Sequence, residues 1–561
     1  MAEPLILAQE PNPDGTMSAT TTMASSTQPQ EKEIRVKSDK VVPIVFIPGI
    51  MGTNLWNNRT KKISWVAPNT DTTLSKIGAI GSFISAFFST AKDRQNDLDA
   101  SDGVISVYKD AAIGADGLND PLPEGELKRR GWGGIMRSAY HPIMVLMQNE
   151  MNTIMINGEP QGWWKVNSAL APSEWGDWNN NPALEKVPEA EGMKHAAEIR
   201  YEVWAAGYNW LQSNKDSAKD IIDFIENTVL PSYATAKKVI IVTHSMGGLV
   251  ARAMIGIHNF EKVYGVIHGA MPATGAPAAY RRIRAGFEGE GVEGYISRQI
   301  LGPTAAETVA VLAFSNGGLE LLPSANYNNG EQWLFARRDH KDAKNLISLP
   351  DGGNPYDDIY KSDKWWGLIP KENEKLIDPN ESYKPTKTEG WEDEVSKRDK
   401  FELNIDSVRI FHKAIQKSYH TNTYVHYSGD AQEKGLITWS DIIWTSDWIG
   451  WGDINNFKIT KDNMTGDIEL DAGYKFKFGP KTSPGDGTVP VVSAASSRDY
   501  PNVKGAFAHG KNSAAYPKVC KEGSHNNSPG YAHQDAYNDK DGRTQYATLY
   551  SLIRISKHVQ I

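Results

Sequence analysis

A single serine separates a strand-like run from a helix-like run in "KKVIIVTHSMGGLVARAMIG" (Lys237–Gly256). Val239–Val242 has the apolar, β-branched composition of a strand buried on both faces, and an amphipathic helical spacing follows it. Ser245 is therefore expected at a sharp strand-to-helix corner, where a serine hydroxyl can act as a nucleophile. Such corners usually carry glycine two residues before and two residues after the serine. Gly247 fits that pattern and Thr243 departs from it.

A nucleophilic serine needs an acid that orients its base, and in one common chain order the acid follows the serine. Asp486 lies in "GDGTVP", on a glycine turn that leads into an apolar run. Asp430 in "YSGD" is the alternative, because it directly ends the predicted strand Asn422–Asp430. The turn position favours Asp486 as the acid.

The base is expected in a loop before the last helix, and His533 in "YAHQDAY" and His525 in "EGSHNNS" both qualify. The Ser, Asn, Pro and Gly residues around His525 predict a flexible loop, which would hold an imidazole ring poorly. Tyr531 and Tyr537 can pack beside His533 and hold it in place. We therefore expect His533 to be the base, with His525 and then His509 as alternatives.

Backbone N–H groups that stabilise an oxyanion are expected from two loops. The predicted first strand ends in "FIPGIMGTNL", where Gly49 and Gly52 allow close approach of the backbone. The N–H of Ile50 or Met51 would pair there with the N–H of Met246, the residue after the serine.

Strand-like and helix-like segments alternate along the chain from Val41 to Pro277, which predicts an α/β fold with a mostly parallel sheet and helices on both faces. The alternation is interrupted at about 76–192 and about 280–479, and these segments are predicted to be insertions. Residues 1–35 are rich in Ser, Thr, Ala and Pro, which predicts disorder. Residues 36–561 are then predicted to form one domain.

The composition of the chain argues against several classes of protein. The net charge of −8 over 561 residues gives no reason to expect a nucleic-acid partner. Cys520 is the only cysteine, so no intrachain disulfide can form. No basic segment precedes the short apolar run Leu5–Ala8, so no Sec signal is predicted. The apolar stretch Ile77–Ala91 is too short to span a bilayer and predicts a surface or lid helix.

No metal and no cofactor is expected. The acidic residues Asp535, Asp539 and Asp541 could bind calcium, but their spacing does not fit an EF-hand loop. Solvated side chains are the favoured interpretation of this cluster.

Taken together, "PGIMG", "THSMGG" and "GDGTVP" resemble the α/β-hydrolase lipases, in the branch of lecithin:cholesterol acyltransferase and the GPI inositol-deacylase-like lipases. Further stretches resemble the fourth family of bacterial type VI secretion lipase effectors: "RGWGGIM", "AAGYNWLQSN", "HGAMPATGAPAAYRR", "GGLELLPS" and "AHQDAY". The resemblance covers most of the chain from about Val41 onward. It implies an α/β-hydrolase fold with cap or lid insertions, and it assigns the catalytic roles to Ser245, Asp486 and His533.

The resemblance also implies an antibacterial phospholipase. Such a protein is made in the cytoplasm, is injected without a Sec signal and acts at membranes or in the periplasm of the target cell. A phospholipid membrane would be its substrate, and its partners would be an immunity protein and a component of the secretion spike. Two alternatives stay open: a carboxylesterase or thioesterase for soluble esters, and a non-catalytic binding protein on a hydrolase scaffold.

Overall fold

The computed structural model describes most of the chain from residue 38 onward. The described ranges are 38–66, 90–156, 158–168, 190–288, 301–339, 343–387, 394–429, 436–447, 453–510, 530–538 and 542–560, with residue 172. Before residue 38 it describes the two-residue strands Leu5–Ile6, Glu10–Pro11, Met17–Ser18 and Lys32–Glu33. The rest of the predicted disordered segment, and the predicted lid helix up to residue 89, lie outside the described residues.

Six parallel strands form the central sheet. They are β1 (Val41–Ile47), β2 (Arg200–Ala205), β3 (Val239–His244), β4 (Val263–Gly269), β5 (Thr423–Ser428) and β6 (Val503–His509). Their spatial order is β2-β1-β3-β4-β5-β6, and every neighbouring pair is parallel. Every residue of β1 and β3 is buried, as their continuous apolar runs predict. The α/β-hydrolase fold class is confirmed.

Helices cover both faces of this sheet. The main helices are α1 (Arg137–Glu150), α2 (Asn214–Phe224), α3 (Gly247–Gly256), α4 (Pro277–Ala285), α5 (Ala305–Leu312), α6 (Lys397–Ile415) and α7 (Arg543–Ser556). Alternate side chains of β1 point to opposite faces. Val45 and Ile47 join the core formed with α2, α3 and α6. Ile44 and Phe46 join the core formed with α1 and α7.

Shorter helices and strands complete the described architecture. The helices are Ala91–Asp97, Glu124–Arg129, Gly162–Asn167, Ala190–Ala197, Asn316–Leu319 and Val491–Ala494. Leu55–Asn57 pairs antiparallel with Lys62–Trp65 and with Ile105–Val107 beside the end of β1. Two small hairpins join Met155–Ile156 with Glu159–Pro160 and Thr386–Lys387 with Glu394–Val395.

A second sheet is built from the inserted segments. In spatial order its strands are Asn345–Leu349, Leu334–Arg338, Ile442–Ser446, Lys475–Phe478, Asp467–Leu470 and Ile459–Asp462. Its core is aromatic: the rings of Trp444 and Phe478 lie 3.9 Å apart, and Trp365 packs against Trp444 at 5.8 Å. The tryptophans of this region therefore contribute to the packed core of the second sheet.

The predicted insertion at about 280–479 contains one strand of the central sheet. β5 lies between β4 and β6, so the inserted chain forms two segments, 270–422 and 429–502. The sequence of β5, TYVHYS, is short and mixes polar with apolar residues, like the strands of the second sheet. Nothing local distinguishes a central strand from an inserted one, because pairing across the sheet decides the difference.

The sequence from Ser217 onward predicts a helix capped by Ser217, but α2 begins three residues earlier, at Asn214. Ser213 caps it, since its hydroxyl accepts from the N–H of Lys215, and Ser217 lies buried inside the helix. In the described part of the chain, no helix is both long and apolar enough to cross a membrane.

Candidate active site

Ser245 lies at the corner between β3 and α3. Its φ is +50°, a left-handed conformation that costs a residue other than glycine about 1–3 kcal/mol. The N–H of Ser245 donates to the carbonyl of Gly269 at the end of β4 (2.9 Å), which anchors the strained residue to the sheet. The backbone strain lies at the serine that the sequence singles out.

Thr243 and Gly247, two residues before and after Ser245, differ in the space available for a side chain. A Cβ atom at Gly247 would lie 2.5 Å from the carbonyl oxygen of Ile47 and 2.6 Å from that of Pro48, so no side chain fits there. Thr243 is fully buried, and its Oγ1 lies 2.9 Å from Nδ1 of His268 on β4. The sheet interior therefore accommodates the threonine, and only the helix side of the corner requires glycine.

Ser245, His533 and Asp486 form a continuous hydrogen-bonded chain. Nε2 of His533 lies 2.8 Å from Oγ of Ser245, and Nδ1 lies 2.7 Å from Oδ2 of Asp486. An ionised carboxylate only accepts, so Nδ1 carries the proton and Nε2 can accept the proton of the serine hydroxyl. All three side chains are buried or nearly so. This is the geometry in which a histidine can take the proton of a serine hydroxyl.

The turn that carries Asp486 holds the carboxylate in place. Oδ1 accepts from the N–H groups of Thr488 (3.0 Å) and Val489 (2.6 Å). The N–H of His533 donates to the carbonyl of Asp486 (2.9 Å), so main chain and side chain both join the two loops. The acid's second oxygen is thereby left for the imidazole.

The other residues considered for these roles lie elsewhere. Asp430 and His525 fall outside the described residues. His509 ends β6 and is fully buried, with its ring 5.7 Å from that of Tyr531 and not at Ser245. His533 begins a short 3₁₀ turn, and the neighbouring Tyr537 is buried.

His244, the residue before the serine, links three parts of the site. Its Nε2 lies 2.8 Å from the carbonyl of His533, so that nitrogen must carry the proton. Nδ1 then accepts from the hydroxyl of Tyr140 (2.9 Å), which itself accepts from the N–H of Gly49 (3.2 Å). Burial and the nearby His533 ring hold the pKa of His244 well below its ordinary value, so it stays neutral.

The loop after β1 forms a turn beside the serine. The N–H of Gly52 donates to the carbonyl of Gly49 (3.1 Å), and Met51 has a φ of +64°. The indole N–H of Trp65 donates to the carbonyl of Met51 (2.8 Å) and fixes the turn. Among the described residues, nothing accepts from the N–H groups of Ile50, Met51 or Met246. Ile50 and Met51 line the same cavity as Ser245.

That cavity has a volume of about 540 Å³, within the usual range for ligand sites. We call its base the polar floor: Ser245, His533, Asp486 and the loop Gly49–Gly52. Most of its side is apolar, and we call this the apolar wall: Ile283, Phe287, Leu301, Leu312 and Leu321. The arrangement can place an ester carbonyl at the floor with a hydrocarbon chain against the wall.

Two other expectations about the site have different outcomes. The sequence allows Tyr208, Asn209 and Trp210 either to line a pocket or to pack in the core. Tyr208 and Trp210 are buried in the core, where the Tyr208 hydroxyl donates to the carbonyl of Pro48. Asp535 is described, but Asp539 and Asp541 lie outside the described residues. Within the part of the chain that the structure describes, no three acidic, histidine or cysteine side chains are grouped to hold a metal.

Tyr140 is the site residue that sequence reasoning missed. It lies on α1, 104 residues before His244, and its neighbours in sequence carry no catalytic motif. A tyrosine on an amphipathic helix is usually a packing residue, so only the folded chain identifies its contact with the site.

Comparison with known proteins agrees with this geometry. A family model described as a PGAP1-like alpha/beta domain matches residues 178–340, which include Ser245. The comparison with curated proteins gave no match. Among solved structures, "The crystal structure of Tle4-Tli4 complex" contains a chain that is 35% identical to this one, with a TM-score of 0.77. The match covers 92% of this chain and 98% of that one. At that identity and coverage, this chain belongs to the Tle4 family of type VI lipase effectors.

Proposed function

We propose that the protein is a serine phospholipase that cleaves carboxylic ester bonds of membrane phospholipids through an acyl-enzyme. The observation that carries the proposal is the hydrogen-bonded chain Ser245–His533–Asp486 at the base of a largely apolar cavity. Membership of a lipase family supports the reaction class, and the apolar wall supports a substrate with long hydrocarbon chains. The catalytic role of each residue is part of the proposal.

In the proposed reaction, Oγ of Ser245 attacks the ester carbonyl carbon while Nε2 of His533 takes the hydroxyl proton. Asp486 keeps the imidazole in the required tautomer and stabilises its positive charge. The tetrahedral intermediate expels the alcohol part, a lysophospholipid, which receives the proton from His533. Water then attacks the acyl-enzyme by the same route and releases the fatty acid. No metal or cofactor takes part in these steps.

The negative charge of the tetrahedral intermediate falls on the former carbonyl oxygen. We propose that the N–H of Met246 binds it together with the N–H of Ile50 or Met51. These groups donate to no described residue and belong to segments held by other hydrogen bonds, so they need little rearrangement when the charge forms.

We further propose that residues 36–561 form one α/β-hydrolase domain whose insertions cap the site. Helices α4 and α5 supply apolar-wall residues and belong to the inserted segment after β4. Since the insertions cover the site, substrate must enter between them, and a lipid surface would favour entry of a long acyl chain.

Membership of this family also suggests how the protein is delivered to a target cell and how it is neutralised. The similar structure is a complex of Tle4 with Tli4, and we propose that this chain likewise has an immunity protein as partner. We also propose that it is injected into a target cell by type VI secretion, with a component of the secretion spike, and acts at membranes or in the periplasm.

Product analysis on defined phospholipids tests the function. Phosphatidylglycerol and phosphatidylethanolamine with different acyl chains at the two positions are incubated with the protein and with Ser245→Ala, and lipids are identified by mass spectrometry. We expect one fatty acid and one lysophospholipid from the wild type and neither from the variant. Cleavage of soluble esters or thioesters alone would favour the esterase alternative. No cleavage of any ester would favour a binding protein on a hydrolase scaffold.

A further inference from the structure

One side of the cavity differs from the apolar wall because it is charged. Arg282, Glu288 and Lys481 line it, and we call this group the charged wall. Arg282 lies on α4, one residue before Ile283 of the apolar wall, and Lys481 lies five residues before Asp486. The ester chemistry at the polar floor requires none of these charges, so their presence calls for another explanation.

The position of Arg282 is fixed by two hydrogen bonds. Its Nε donates to Oε2 of Glu288 (3.1 Å), and its Nη2 donates to Oγ1 of Thr488 (3.2 Å), two residues after Asp486. The ring of Phe287 lies 5.2 Å from the guanidinium carbon. The remaining nitrogen, Nη1, donates to none of the residues described. The guanidinium is therefore held next to the Asp486 turn with donor hydrogens left over.

The charged wall carries an excess of positive charge. Two cations, Arg282 and Lys481, accompany one carboxylate, Glu288. Burial opposes ionisation of Glu288, but the charges of Arg282, Arg281 and Lys481 outweigh burial, so the pKa of this carboxyl lies below its ordinary value. The other carboxylate oxygen of Glu288, Oε1, is buried and accepts no hydrogen bond from the described residues. A ligand that complements the charged wall would carry a negative charge for the two cations and a hydrogen-bond donor for Oε1 of Glu288.

We propose that the charged wall binds the phosphate of the phospholipid headgroup, through Arg282 and Lys481, while the ester carbonyl lies at Ser245. A phosphate suits a guanidinium because its oxygens accept two parallel hydrogen bonds, and a headgroup hydroxyl or ammonium can donate to Glu288. The charge on the substrate would thus be recognised apart from its acyl chain. This inference rests on the proposed function, since it assigns a second contact to the same substrate.

A pair of soluble substrates tests the inference. Dihexanoyl phosphatidylglycerol and dihexanoylglycerol, both supplied as monomers, carry the same esters and differ in the phosphate. We expect Arg282→Gln to lower the ratio of their kcat/KM values about 10- to 100-fold, the usual worth of hydrogen bonds to charged groups. Lys481→Met should lower the ratio less. An unchanged ratio in Arg282→Gln would overturn the inference, whether both rates fell together or neither fell.

Arg281→Gln is the matched control. Arg281 neighbours Arg282 on α4, but it donates to the carbonyls of Gly286 and Thr465 and does not line the cavity. We expect this variant to keep the substrate ratio. An equal fall of the ratio in both arginine variants would assign the effect to the fold of α4 and overturn the inference.

A binding measurement separates this inference from the proposed function. Titration calorimetry with sn-glycerol 3-phosphate, and with glycerol as the uncharged control, needs no catalysis. We expect heat of binding for the phosphate ester with the wild type and Arg281→Gln, and its loss in Arg282→Gln. Binding with that pattern, in a protein that cleaves no phospholipid, would refute the function and keep the phosphate site. No binding by the wild type would refute the site even if phospholipids are cleaved.

Discussion

The polar floor and the apolar wall face the same cavity but are built by different means. The three polar side chains of the floor are fixed by directed hydrogen bonds, several of them from the backbone, as with the two N–H groups that hold Asp486. The apolar wall has side chains such as Leu312 and Leu321, held by packing alone. Hydrogen bonds hold individual atoms in position to within fractions of an ångström, whereas packing of apolar side chains determines only the size of the space that is left. In the proposed function, the floor would therefore decide which bond is broken, and the wall would decide which acyl chain fits.

The largest expected effect is at Ser245. Ser245→Ala should lower kcat by about four to six orders of magnitude, because no other group attacks the ester. It should also abolish labelling by a fluorophosphonate probe. Ser217→Ala, which removes a buried serine of α2 outside the cavity, serves as the control and should keep the label. Labelling that persists in Ser245→Ala would place the nucleophile elsewhere.

The next effect concerns Asp486. Asp486→Asn should lower kcat about 10⁴-fold, because an amide N–H next to Nδ1 of His533 favours the wrong tautomer. The amide oxygen can still accept from Thr488 and Val489, so the turn should persist. Steady-state kinetics and thermal unfolding check both statements. A large loss of stability would mean that the low rate reflects misfolding rather than the tautomer.

Tyr140 lies behind the polar floor and should act by positioning. Tyr140→Phe leaves Nδ1 of His244 and the N–H of Gly49 without their partner, which should lower kcat about tenfold with little change in KM. Tyr201→Phe is the control, since its hydroxyl contacts Ser556 and Ala196 far from the site. Both variants should lose stability. An equal kcat in both would show that Tyr140 is only structural.

A change in the apolar wall should alter selectivity and leave the chemistry intact. Leu312→Ala enlarges the cavity at α5, so the ratio of kcat/KM for long and short acyl esters should change by about fivefold. Val408→Ala also removes apolar volume, two carbon atoms instead of three, from α6, in the same core but outside the cavity lining, and should leave the ratio unchanged. If Leu312→Ala and Val408→Ala gave the same ratio of kcat/KM for long and short acyl esters, the apolar wall would not determine acyl selectivity.

The smallest expected effect is on stability, at Glu320, which precedes Leu321 of the apolar wall. Its carboxylate accepts from Ser213 Oγ and from the backbone and side-chain N–H groups of Asn214. Burial nevertheless raises its pKa to about 8. A raised pKa in the folded state means that the stabilisation is complete below the unfolded pKa of about 4.5 and is lost as pH rises to 8.

Glu320→Gln should remove that dependence. From pH 5 to pH 8, the free energy of unfolding of the wild type should fall relative to that of the variant, by at most about 1.4 kcal/mol per pH unit. Urea unfolding at several pH values measures the difference. Parallel pH profiles would show that the carboxyl is ionised when folded.

Sequence reasoning predicted the residues of the polar floor more fully than those of the apolar wall, for a physical reason. The corner around Ser245 is local, so a strand, a small residue and a helix in succession reveal it. The choice between His533 and His525 depended on loop packing 288 residues from the serine, so the sequence favoured His533 and kept His525 as an alternative. Leu312 carries no motif, since any apolar side chain of suitable size can serve in a wall. Arg282 ends the quoted stretch "HGAMPATGAPAAYRR", but nothing in that stretch indicates that its side chain lines the cavity. Tyr140 was missed, and β5 was predicted as a strand but not as part of the central sheet, because contacts between distant segments give both their place.

The order of the site residues along the chain determines when, during synthesis, the proposed site can be complete. Ser245 and Asp486 lie 288 and 47 residues before His533, and α7, which packs on the sheet, follows His533. Ribosomes work from the N-terminus, so an unfinished chain carries the serine, and later the acid, without the histidine that joins them. Truncated products that end before residue 533 would be inert for the same reason. On the proposed mechanism, the cell that produces this protein would thus not be exposed to its activity until residue 533 has been added.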